Sequence, residues 1–373
     1  SYNVHNEDFF NMGVICVGSY LKRNHIPVSV YMDYMDPLFT VNEDYDKVLE
    51  GLSEIDPAYI GMSCMTAQLP SGIDMAKRIK KVYPDIPIVW GGGHANALAK
   101  NLLESSPEVD FVIQSPGEEA ALNLYQYLTE KSLDVEDIPG LTYRQEGEIR
   151  SNPRNKLDPS IYNQVIDYSV VENLHPIERK FSGESVREMP VFNTIGCPYR
   201  CTFCINAVDY VKMIFRDIEV VVSEIKQLTS VYGVDCLFFI DELFFVKYDR
   251  NDKFLERLEE ENIRVSWFAH ARSDQIGKVR RLTPTRLQKV RQMGCKELHM
   301  GVESGSQRML DKMKKQLDIS TLPASINQII DADITPKVNF IFGMPGETID
   351  DAKETLYLLF NLIEKHEGQL ILM

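Results

Sequence analysis

Apolar residues in the first third of the chain alternate between a helical and a strand-like spacing. Helical spacing covers residues 10–23, 45–54, 72–82, 97–103 and 118–128. Strand-like apolar runs cover residues 28–32, 58–63, 86–90 and 111–113, between those helices. Because strands that alternate with helices form parallel sheets, the pattern predicts an α/β fold with a doubly wound, Rossmann-like N-terminal domain. Such sheets bind ligands beyond the C-terminal ends of their strands.

The middle of the chain interrupts this alternation. Residues 138–150 predict an edge hairpin that turns at Glu146 and Gly147, and the Pro-, Asn- and Asp-rich residues 152–189 predict an irregular linker. The linker carries three aromatic residues that either line a substrate approach or pack the linker down: Tyr162, Tyr168 and Phe181. We therefore expect a first domain over 1–136, a hairpin and linker over 137–189, and a second domain over 190–373.

The last part of the chain resumes the alternation. Strand-like runs cover residues 190–195, 236–240, 265–270, 296–302, 337–342 and 369–373. Helical patterns between them cover residues 218–231, 253–261, 284–293, 319–332 and 350–365. This order predicts a partial (β/α)6 barrel of the TIM type. Polar segments repeatedly follow the strands, at the face where barrel enzymes place catalytic groups.

Composition narrows the class of protein. The 373 residues suffice for two domains, and 44% hydrophobic with 25% charged residues is ordinary for a globular chain. A net charge of −15 argues against a general nucleic-acid binder, although it leaves a local basic groove open. No apolar stretch is long enough to span a membrane, and no signal peptide is evident. We expect a reducing, cytoplasmic compartment.

Both ends of the sequence suggest a longer protein. The chain opens at Ser1 and closes inside the apolar run 369–373. A doubly wound sheet would normally begin with a strand before residue 10, and none is evident there. We therefore expect both ends to be cut.

Three of the seven cysteines form a short motif directly after the strand predicted over 190–195. Cys197, Cys201 and Cys204 have the spacing C-x-x-x-C-x-x-C, so all three thiolates can reach one face of a small inorganic cluster. Three ligands on a four-iron cubane leave one iron open. A structural zinc site would need a distant fourth ligand, since no second cysteine or histidine pair occurs, and a coincidental trio is a further alternative. The other four cysteines are predicted to be buried core thiols: Cys16, Cys64, Cys236 and Cys295.

The cysteine loop resembles that of the radical S-adenosylmethionine (SAM) enzymes, including the aromatic Phe203 before the last cysteine. The resemblance implies a [4Fe-4S] cluster whose open iron chelates the amino and carboxylate groups of SAM. An electron from the cluster would then cleave SAM to a 5′-deoxyadenosyl radical, which abstracts hydrogen from a substrate. It also implies an external electron donor of the flavodoxin or ferredoxin type.

The same resemblance assigns SAM-binding roles to residues that follow the barrel strands. It places the methionine amino group at Asp241 and Glu242, the carboxylate at Arg272, and the ribose at Glu303 and Ser304. The alternatives are helix caps for Asp241 and Glu303 and a surface salt bridge for Arg272. The adenine would lie near Phe203 and the turn Gly343–Thr348, which includes Pro345. The alternative for these glycines is a role in the turn alone. No motif fixes a role for three histidines, for which a buried or capping side chain is the default: His94, His270 and His299.

The N-terminal half resembles the cobalamin-binding domains found in many radical SAM enzymes. Ser63 ends one predicted strand, and Gly91, Gly92, Gly93 and His94 end the next, where small residues let backbone approach a bulky ligand. Generic turn glycines in an empty or repurposed domain are the alternative. The D-x-H-x-x-G motif that supplies a histidine to cobalt is absent; the nearest segment, 3–8, leaves His5 as a loop histidine.

These resemblances together imply a cobalamin-dependent radical SAM enzyme. The principal expectation is a methyltransferase that acts on an unactivated carbon of a small molecule or peptide through methylcobalamin. The second is cyclisation, ring contraction or methylthiolation with a repurposed or empty N-terminal domain. A non-catalytic iron–sulfur or SAM-sensing module is the alternative from another class. We expect the substrate to be recognised by the linker and by chain beyond residue 373.

Overall fold

The computed structural model of the protein describes residues 11–32, 49, 51–52, 55–114, 116–181, 184–207, 211–276 and 282–373. The chain divides into two compact units. The first comprises Ser1–Ile161 and Ile166–His175, and the second comprises Tyr162–Val165 and Pro176–Met373. The functional boundaries predicted at residues 136 and 189 stay predictions.

The first unit contains one five-stranded sheet. Its strands are β1 (Ile60–Ser63), β2 (Ile88–Gly91), β3 (Phe111–Ile113), β4 (Leu141–Gln145) and β5 (Glu148–Ser151), in that spatial order. The first three are parallel, and the β4–β5 hairpin continues the sheet in antiparallel pairing. Before residue 163, the helices whose bounds fall within the described residues are α1 (Met12–Arg23), α2 (Leu69–Val82), α3 (Gly93–Ser105), α4 (Gly117–Thr129) and α5 (Pro159–Tyr162).

Each face of this sheet has its own apolar core. Ile88 and Trp90 pack with residues of α2 and α3, whereas Val89 between them packs with residues of α1 and α4. Successive side chains of a strand point to opposite faces. Helices therefore cover both faces, which confirms the predicted doubly wound fold.

The strand predicted over 28–32 is wrong. Only Val30 forms a β-bridge, to Val171, and the two flanking hydrogen bonds join it to Val170 and Glu172. A strand needs a ladder of partners on a neighbouring chain segment, which a local apolar run cannot reveal. Most of the helix predicted over 45–54, and His5, lie outside the described residues.

The second unit contains a seven-stranded sheet. Its strands are β6 (Ile177–Phe181), β7 (Glu184–Val191), β10 (Cys236–Phe239), β11 (Ser266–Ala271), β12 (Cys295–Glu303), β13 (Thr335–Phe340) and β14 (Ile371–Leu372). A separate short pair consists of β8 (Thr194–Ile195) and β9 (Ile214–Phe215). The spatial order is β14-β13-β12-β11-β10-β7-β6, in which only the edge strand β6 pairs antiparallel.

Helices alternate with these parallel strands. They are α6 (Ile218–Val231), α7 (Tyr248–Glu260), α8 (Pro284–Gln292), α9 (Gln307–Lys312), α10 (Leu322–Asp331) and α11 (Ile349–Lys365). Six parallel strands joined by helices form the predicted partial (β/α)6 barrel, which is confirmed and is called the half barrel below.

Part of the range predicted as irregular linker is regular. Strand β6 and most of β7 form a hairpin within residues 152–189. Arg179 and Glu188, on one face of this hairpin, form an ion pair with Nε and Oε2 3.1 Å apart. Because that face carries buried charge, the hairpin lacks the apolar alternation that identifies a strand from sequence. No helix within the described ranges is long and apolar enough to cross a membrane.

Candidate functional site

The cysteine loop begins at a glycine that its geometry requires. Gly196 has φ +83°, and a Cβ there would lie 2.6 Å from the carbonyl oxygen of Val211. The loop then turns on itself, with the Cys204 N–H donating to Cys201 O over 3.0 Å. The Thr202 N–H donates to Met313 O over 2.9 Å and fastens the loop to the segment after α9.

Cys197 and Cys201 are each influenced by neighbouring charged groups. Burial raises the pKa of the Cys197 thiol, and the Tyr199 N–H lowers it by donating a hydrogen bond to the sulfur. Burial also raises the pKa of Cys201, against the opposing charges of Lys315 and Arg272. Cations beside a thiol favour the thiolate, which is the form that binds metal. The donor set therefore fits an iron–sulfur cluster held by three cysteines.

Among the residues that the structure describes, no three His, Cys, Asp or Glu side chains are arranged as ligands of one metal ion. A cubane makes a different demand, because each thiolate binds a separate iron.

Asp241 follows β10 and faces away from solvent. Its Oδ1 accepts from Thr194 Oγ1 over 2.6 Å, and its Oδ2 accepts from the Asn193 N–H over 3.0 Å. Burial raises the pKa of Asp241 to about 6, although these hydrogen bonds lower it. Both carboxylate oxygens therefore fasten the chain just ahead of the cysteine loop. The SAM-binding role given to Asp241 from sequence stays a prediction.

Glu242, the next residue, is placed differently. Its side chain is exposed, yet the surrounding protein raises its pKa by desolvation, while a hydrogen bond with Asn206 lowers it. The carboxylate is therefore accessible to solvent at a place where the surrounding protein still disfavours its charged form. Its charge acts on the Cys197 thiol, so this carboxylate lies beside the cysteine loop.

Arg272, at the end of β11, is buried rather than on the surface. Its guanidinium carbon lies 3.9 Å from the centroid of the Tyr199 ring. The guanidinium donates to Asp274 Oδ1 over 2.9 Å and to the carbonyl oxygens of Lys315 and Gln316 over 3.0 and 2.8 Å. The side chain thus joins β11 to the cysteine loop and to the segment after α9. Its predicted contact with the SAM carboxylate is not tested by these bonds.

Lys315 is a functional candidate that sequence reasoning missed. Its Nζ lies 2.7 Å from Glu303 Oε1 and 5.6 Å from the centroid of the Phe203 ring. Glu303 ends β12 with φ +71°, an uncommon conformation for a residue with a side chain. A signal was present in the sequence: Lys315 lies midway between the apolar Met313 and Leu317, and the structure buries all three while it exposes Lys314 and Gln316.

The remaining predicted SAM residues are divided between core and surface. Ser304 is fully buried and its Oγ lies 3.2 Å from Thr355 Oγ1. Gly343 has φ +81°, its N–H donates to Glu347 Oε2, and Pro345 is exposed. The structure thus brings Glu303 and Phe203 towards Lys315, whereas Ser304 packs against α11.

In the first unit, the predicted cobalamin residues meet at the C-terminal edge of the sheet. Ser63 ends β1, and its Oγ accepts from Asn11 Nδ2 over 2.9 Å. Gly92 has φ +92°, and a Cβ there would lie 2.6 Å from Ser63 Oγ. Gly91 ends β2, and His94 in the first turn of α3 lies 3.2 Å (Nδ1) from Thr66 Oγ1. Asn11 and Thr66 were not predicted, because neither belongs to the quoted motif.

The space around Gly93 indicates whether this edge of the sheet has room for a bulky ligand. A Cβ built on Gly93 would meet no atom within 4 Å, so bare backbone faces open space there. At Gly91 the nearest atom to such a Cβ is 3.9 Å away. Gly92 between them has no such room, so the open Cβ direction is at Gly93, directly after the strand, where it fits the close approach of a large, flat cofactor.

Two family models match the chain over adjoining ranges. The radical SAM superfamily model matches residues 193–359, and the B12-binding domain model matches residues 4–124. The first range holds the three cysteines, and the second holds Ser63 and the glycines after β2.

Individual proteins are similar at lower identity. A protein named "uncharacterized methyltransferase" from Pyrococcus horikoshii is 25% identical over 343 residues, which cover 85% of this chain and 70% of that protein. An anaerobic magnesium-protoporphyrin IX monomethyl ester cyclase from Rubrivivax gelatinosus is 24% identical over 349 residues, 92% of this chain and 60% of its own length. The cobalamin-dependent SAM radical enzyme OxsB, solved with aqua-cobalamin and SAM bound, superposes with a TM-score of 0.77 at 17% identity, over 96% of this chain and 51% of its own.

Proposed function

Because the chain belongs to the radical SAM superfamily and carries a B12-binding domain, we propose that it methylates an unactivated carbon of its substrate. The family implies three cofactors: a [4Fe-4S] cluster, SAM and cobalamin. The carrying observation is the cysteine loop, in which the charge of Glu242 acts on the Cys197 thiol and the charges of Lys315 and Arg272 act on the Cys201 thiol.

In this proposal Cys197, Cys201 and Cys204 hold the cluster, which when bound supplies the electron for reductive cleavage of SAM. The protein's part is to orient SAM and to exclude water. Glu242 is the proposed partner of the SAM ammonium, because its carboxylate is exposed beside Cys197. Glu303 with Lys315 would form the polar wall on the other side, close to Phe203. Arg272 and Asp241 then act as positioning residues, since both fasten the cysteine loop.

At the first sheet, Ser63, Gly91, Gly92, Gly93 and His94 would line the place of cobalamin, which when bound supplies the methyl group. The open Cβ direction at Gly93 supports this assignment. The similarity to a methyltransferase over 85% of the chain favours methyl transfer. The similarity to a cyclase over 92% of the chain favours ring closure as the second candidate.

Reconstitution without oxygen tests the proposal. The protein would be loaded with iron, sulfide and hydroxocobalamin, passed through gel filtration, reduced, and given SAM. We expect corrinoid absorbance at about one equivalent, 5′-deoxyadenosine, and S-adenosylhomocysteine as the product left when SAM donates a methyl group. Cys201→Ala should lose the cluster absorbance and 5′-deoxyadenosine, whereas the control Cys16→Ala should keep both.

The outcomes separate the candidates. If 5′-deoxyadenosine forms without retained corrinoid, methyl transfer is contradicted and the second candidate gains. If zinc occupies the three thiolates and no 5′-deoxyadenosine forms, both candidates fail.

A further inference from the structure

The half barrel has an inner face that differs from the face packed against its helices. On the helix side, Leu237 and Phe239 of β10 are completely buried, and Phe239 contacts Phe254 of α7 with ring centroids 5.7 Å apart. The alternate positions of the strands point the other way. Several of these inner-face residues are partly exposed: Phe238, His270, Glu297, Lys337 and Asn339.

His270 presents a defined hydrogen-bond acceptor on this inner face. Its Nδ1 lies 2.9 Å from the carbonyl oxygen of Asp241. Because a carbonyl oxygen only accepts, Nδ1 carries the proton and Nε2 carries the lone pair. Nε2 has no hydrogen-bond partner anywhere in the described part of the chain.

The surroundings keep this imidazole neutral. Burial, followed by the charges of His299 and Lys337, lowers the pKa of His270 to about 4, and the bond to Asp241 O opposes the shift only in part. At neutral pH, Nε2 therefore accepts and cannot donate. A carboxylate or phosphate would place oxygen lone pairs against it, whereas an N–H or O–H group would complete its hydrogen bonding.

An apolar wall lies beside this acceptor. The Phe238 and Phe268 rings stack with centroids 4.6 Å apart, and Phe268 stacks in turn on His299 at 5.0 Å. The His270 ring contacts Phe238 at 5.4 Å and His299 at 5.8 Å, in both cases edge to face. Of these rings, Phe238 and His270 are partly exposed, whereas Phe268 and His299 are buried. A partly exposed aromatic ring beside one polar nitrogen suits a flat ligand with a single donor on its edge.

We propose that His270 Nε2, on the inner face of the half barrel, accepts a hydrogen bond from an N–H or O–H on an aromatic or heteroaromatic ring of the substrate. This inference rests on the proposed function, which supplies the reaction for that substrate. Asp241, whose carbonyl oxygen orients His270, directly precedes Glu242, the proposed partner of SAM. His270 is thus a specificity residue placed next to the SAM-binding loop.

Two isosteric probes test the acceptor directly. Indole and benzofuran share a shape, but only indole has a ring N–H. Their affinities for the reconstituted, SAM-loaded protein would be measured by ligand-observed NMR without oxygen. We expect indole to bind about 5- to 10-fold more tightly than benzofuran, as one hydrogen bond with an otherwise unpaired partner predicts.

Two substitutions separate recognition from structure. His270→Asn keeps an amide N–H near the position of Nδ1, so it preserves the bond to Asp241 O but removes the acceptor. We expect it to abolish the preference for indole while benzofuran binding stays within about 2-fold. His270→Gln places an amide oxygen near the position of Nε2, and we expect it to restore part of the preference.

SAM also carries N–H and O–H donors, so its binding is measured in parallel. We expect SAM affinity and substrate-free formation of 5′-deoxyadenosine to be unchanged in His270→Asn. A loss of SAM affinity in this variant would mean that His270 serves SAM, which overturns the inference. Equal affinity of the intact protein for both probes, or binding of neither, would also overturn it, while retained 5′-deoxyadenosine formation would leave the proposed function intact.

Discussion

Lys315 shows how much one buried side chain contributes to the cysteine loop. Its ammonium neutralises Glu303, adjoins the Phe203 ring and acts on the Cys201 thiol, while its carbonyl oxygen accepts from Arg272. Both members of the Lys315–Glu303 pair are about nine-tenths buried. A buried ion pair is costly to break on one side only, because the remaining charge is left without a partner.

The first prediction concerns this pair. Lys315→Met should lower the free energy of unfolding by about 3 kcal/mol, since it leaves Glu303 buried and unpaired. The double variant Lys315→Met/Glu303→Gln should recover most of that loss. Urea unfolding of the three proteins provides the measurement. A single variant as stable as the double variant would show that the pair carries no such coupling.

The second prediction concerns the pH dependence of the free energy of unfolding, to which two groups contribute with opposite signs. Asp241 has a pKa of about 6 instead of 3.8. Between these values the folded protein binds more protons than the unfolded chain, so this group makes the free energy of unfolding fall as pH rises. His270 has a pKa of about 4 instead of 6.5. There the unfolded chain binds more protons, so this group makes the free energy of unfolding rise with pH.

Each contribution amounts to about 3 kcal/mol, at roughly 1.4 kcal/mol per pKa unit. As pH rises from about 4 to 6.5, the free energy of unfolding of His270→Asn should therefore fall progressively relative to that of the unsubstituted protein at the same pH. As pH rises from about 4 to 6, the free energy of unfolding of Asp241→Asn should increase progressively relative to that of the unsubstituted protein at the same pH. Urea unfolding across this range checks both slopes, and slopes of the same sign would contradict the assignment.

At the scale of single residues, the sequence predicts where a residue lies along the chain but not the direction of its side chain. The motifs indicate that Asp241 and Arg272 follow strands, and the structure places both there. The direction of the Asp241 carboxylate, however, depends on Thr194, 47 residues earlier, and Arg272 bonds to a carbonyl oxygen 43 residues later. Contacts at such separations follow from the fold and not from the local pattern.

At the scale of elements, the cysteine loop depends on one glycine. Gly196 combines a left-handed φ of +83° with a backbone oxygen 2.6 Å from where a Cβ would be. Gly147, in the β4–β5 turn, has nearly the same φ of +84° but no atom within 4 Å of that position. Substitutions at these two glycines therefore distinguish the cost of backbone strain alone from the cost of strain together with a steric clash.

The third prediction uses this matched pair. Gly147→Ala should cost about 1 kcal/mol of stability, the strain of a left-handed alanine, and should leave iron content unchanged. Gly196→Ala adds a clash with Val211 O, which the loop can relieve only by moving the cysteines. We expect reconstituted Gly196→Ala to bind less than half of the iron of Gly147→Ala, measured per chain. Equal iron content would show that the loop tolerates the displacement.

Elements with a continuous apolar face were predictable from the sequence. Elements whose buried face carries charged side chains were not. Helix α6 has the bounds that its spacing predicts, because Asp217 caps it and its apolar side is continuous. The β6–β7 hairpin was missed, since Arg179 and Glu188 occupy positions where an apolar residue would have revealed a strand. The same holds for the inner face near His270, which sequence reasoning left without a role.

At the scale of the whole molecule, two chemistries are assigned to two separate units. The chain spans 70% of the methyltransferase and 60% of the cyclase to which it is similar. Within this chain the thiols belong to the second unit and the glycine edge to the first. This division predicts that a substitution can remove one cofactor without loss of the other.

The fourth prediction tests that separation at Gly93. A Cβ there meets nothing within 4 Å, and the residue begins helix α3, where leucine is a better helix former than glycine. Gly93→Leu should therefore unfold at the same urea concentration as the unsubstituted protein or a slightly higher one. Its side chain would occupy the space proposed for cobalamin, so corrinoid retained after gel filtration should fall at least about 10-fold, as expected for overfilling a close-packed site.

The second unit provides the internal control for this variant. Iron content and 5′-deoxyadenosine formation should stay unchanged in Gly93→Leu, because the cysteine loop is built entirely from residues of the other unit. S-adenosylhomocysteine should disappear, since its formation requires an acceptor for the methyl group. Corrinoid retained at one equivalent would mean that the cofactor does not approach Gly93. Joint loss of corrinoid and iron would mean that the two units do not load independently.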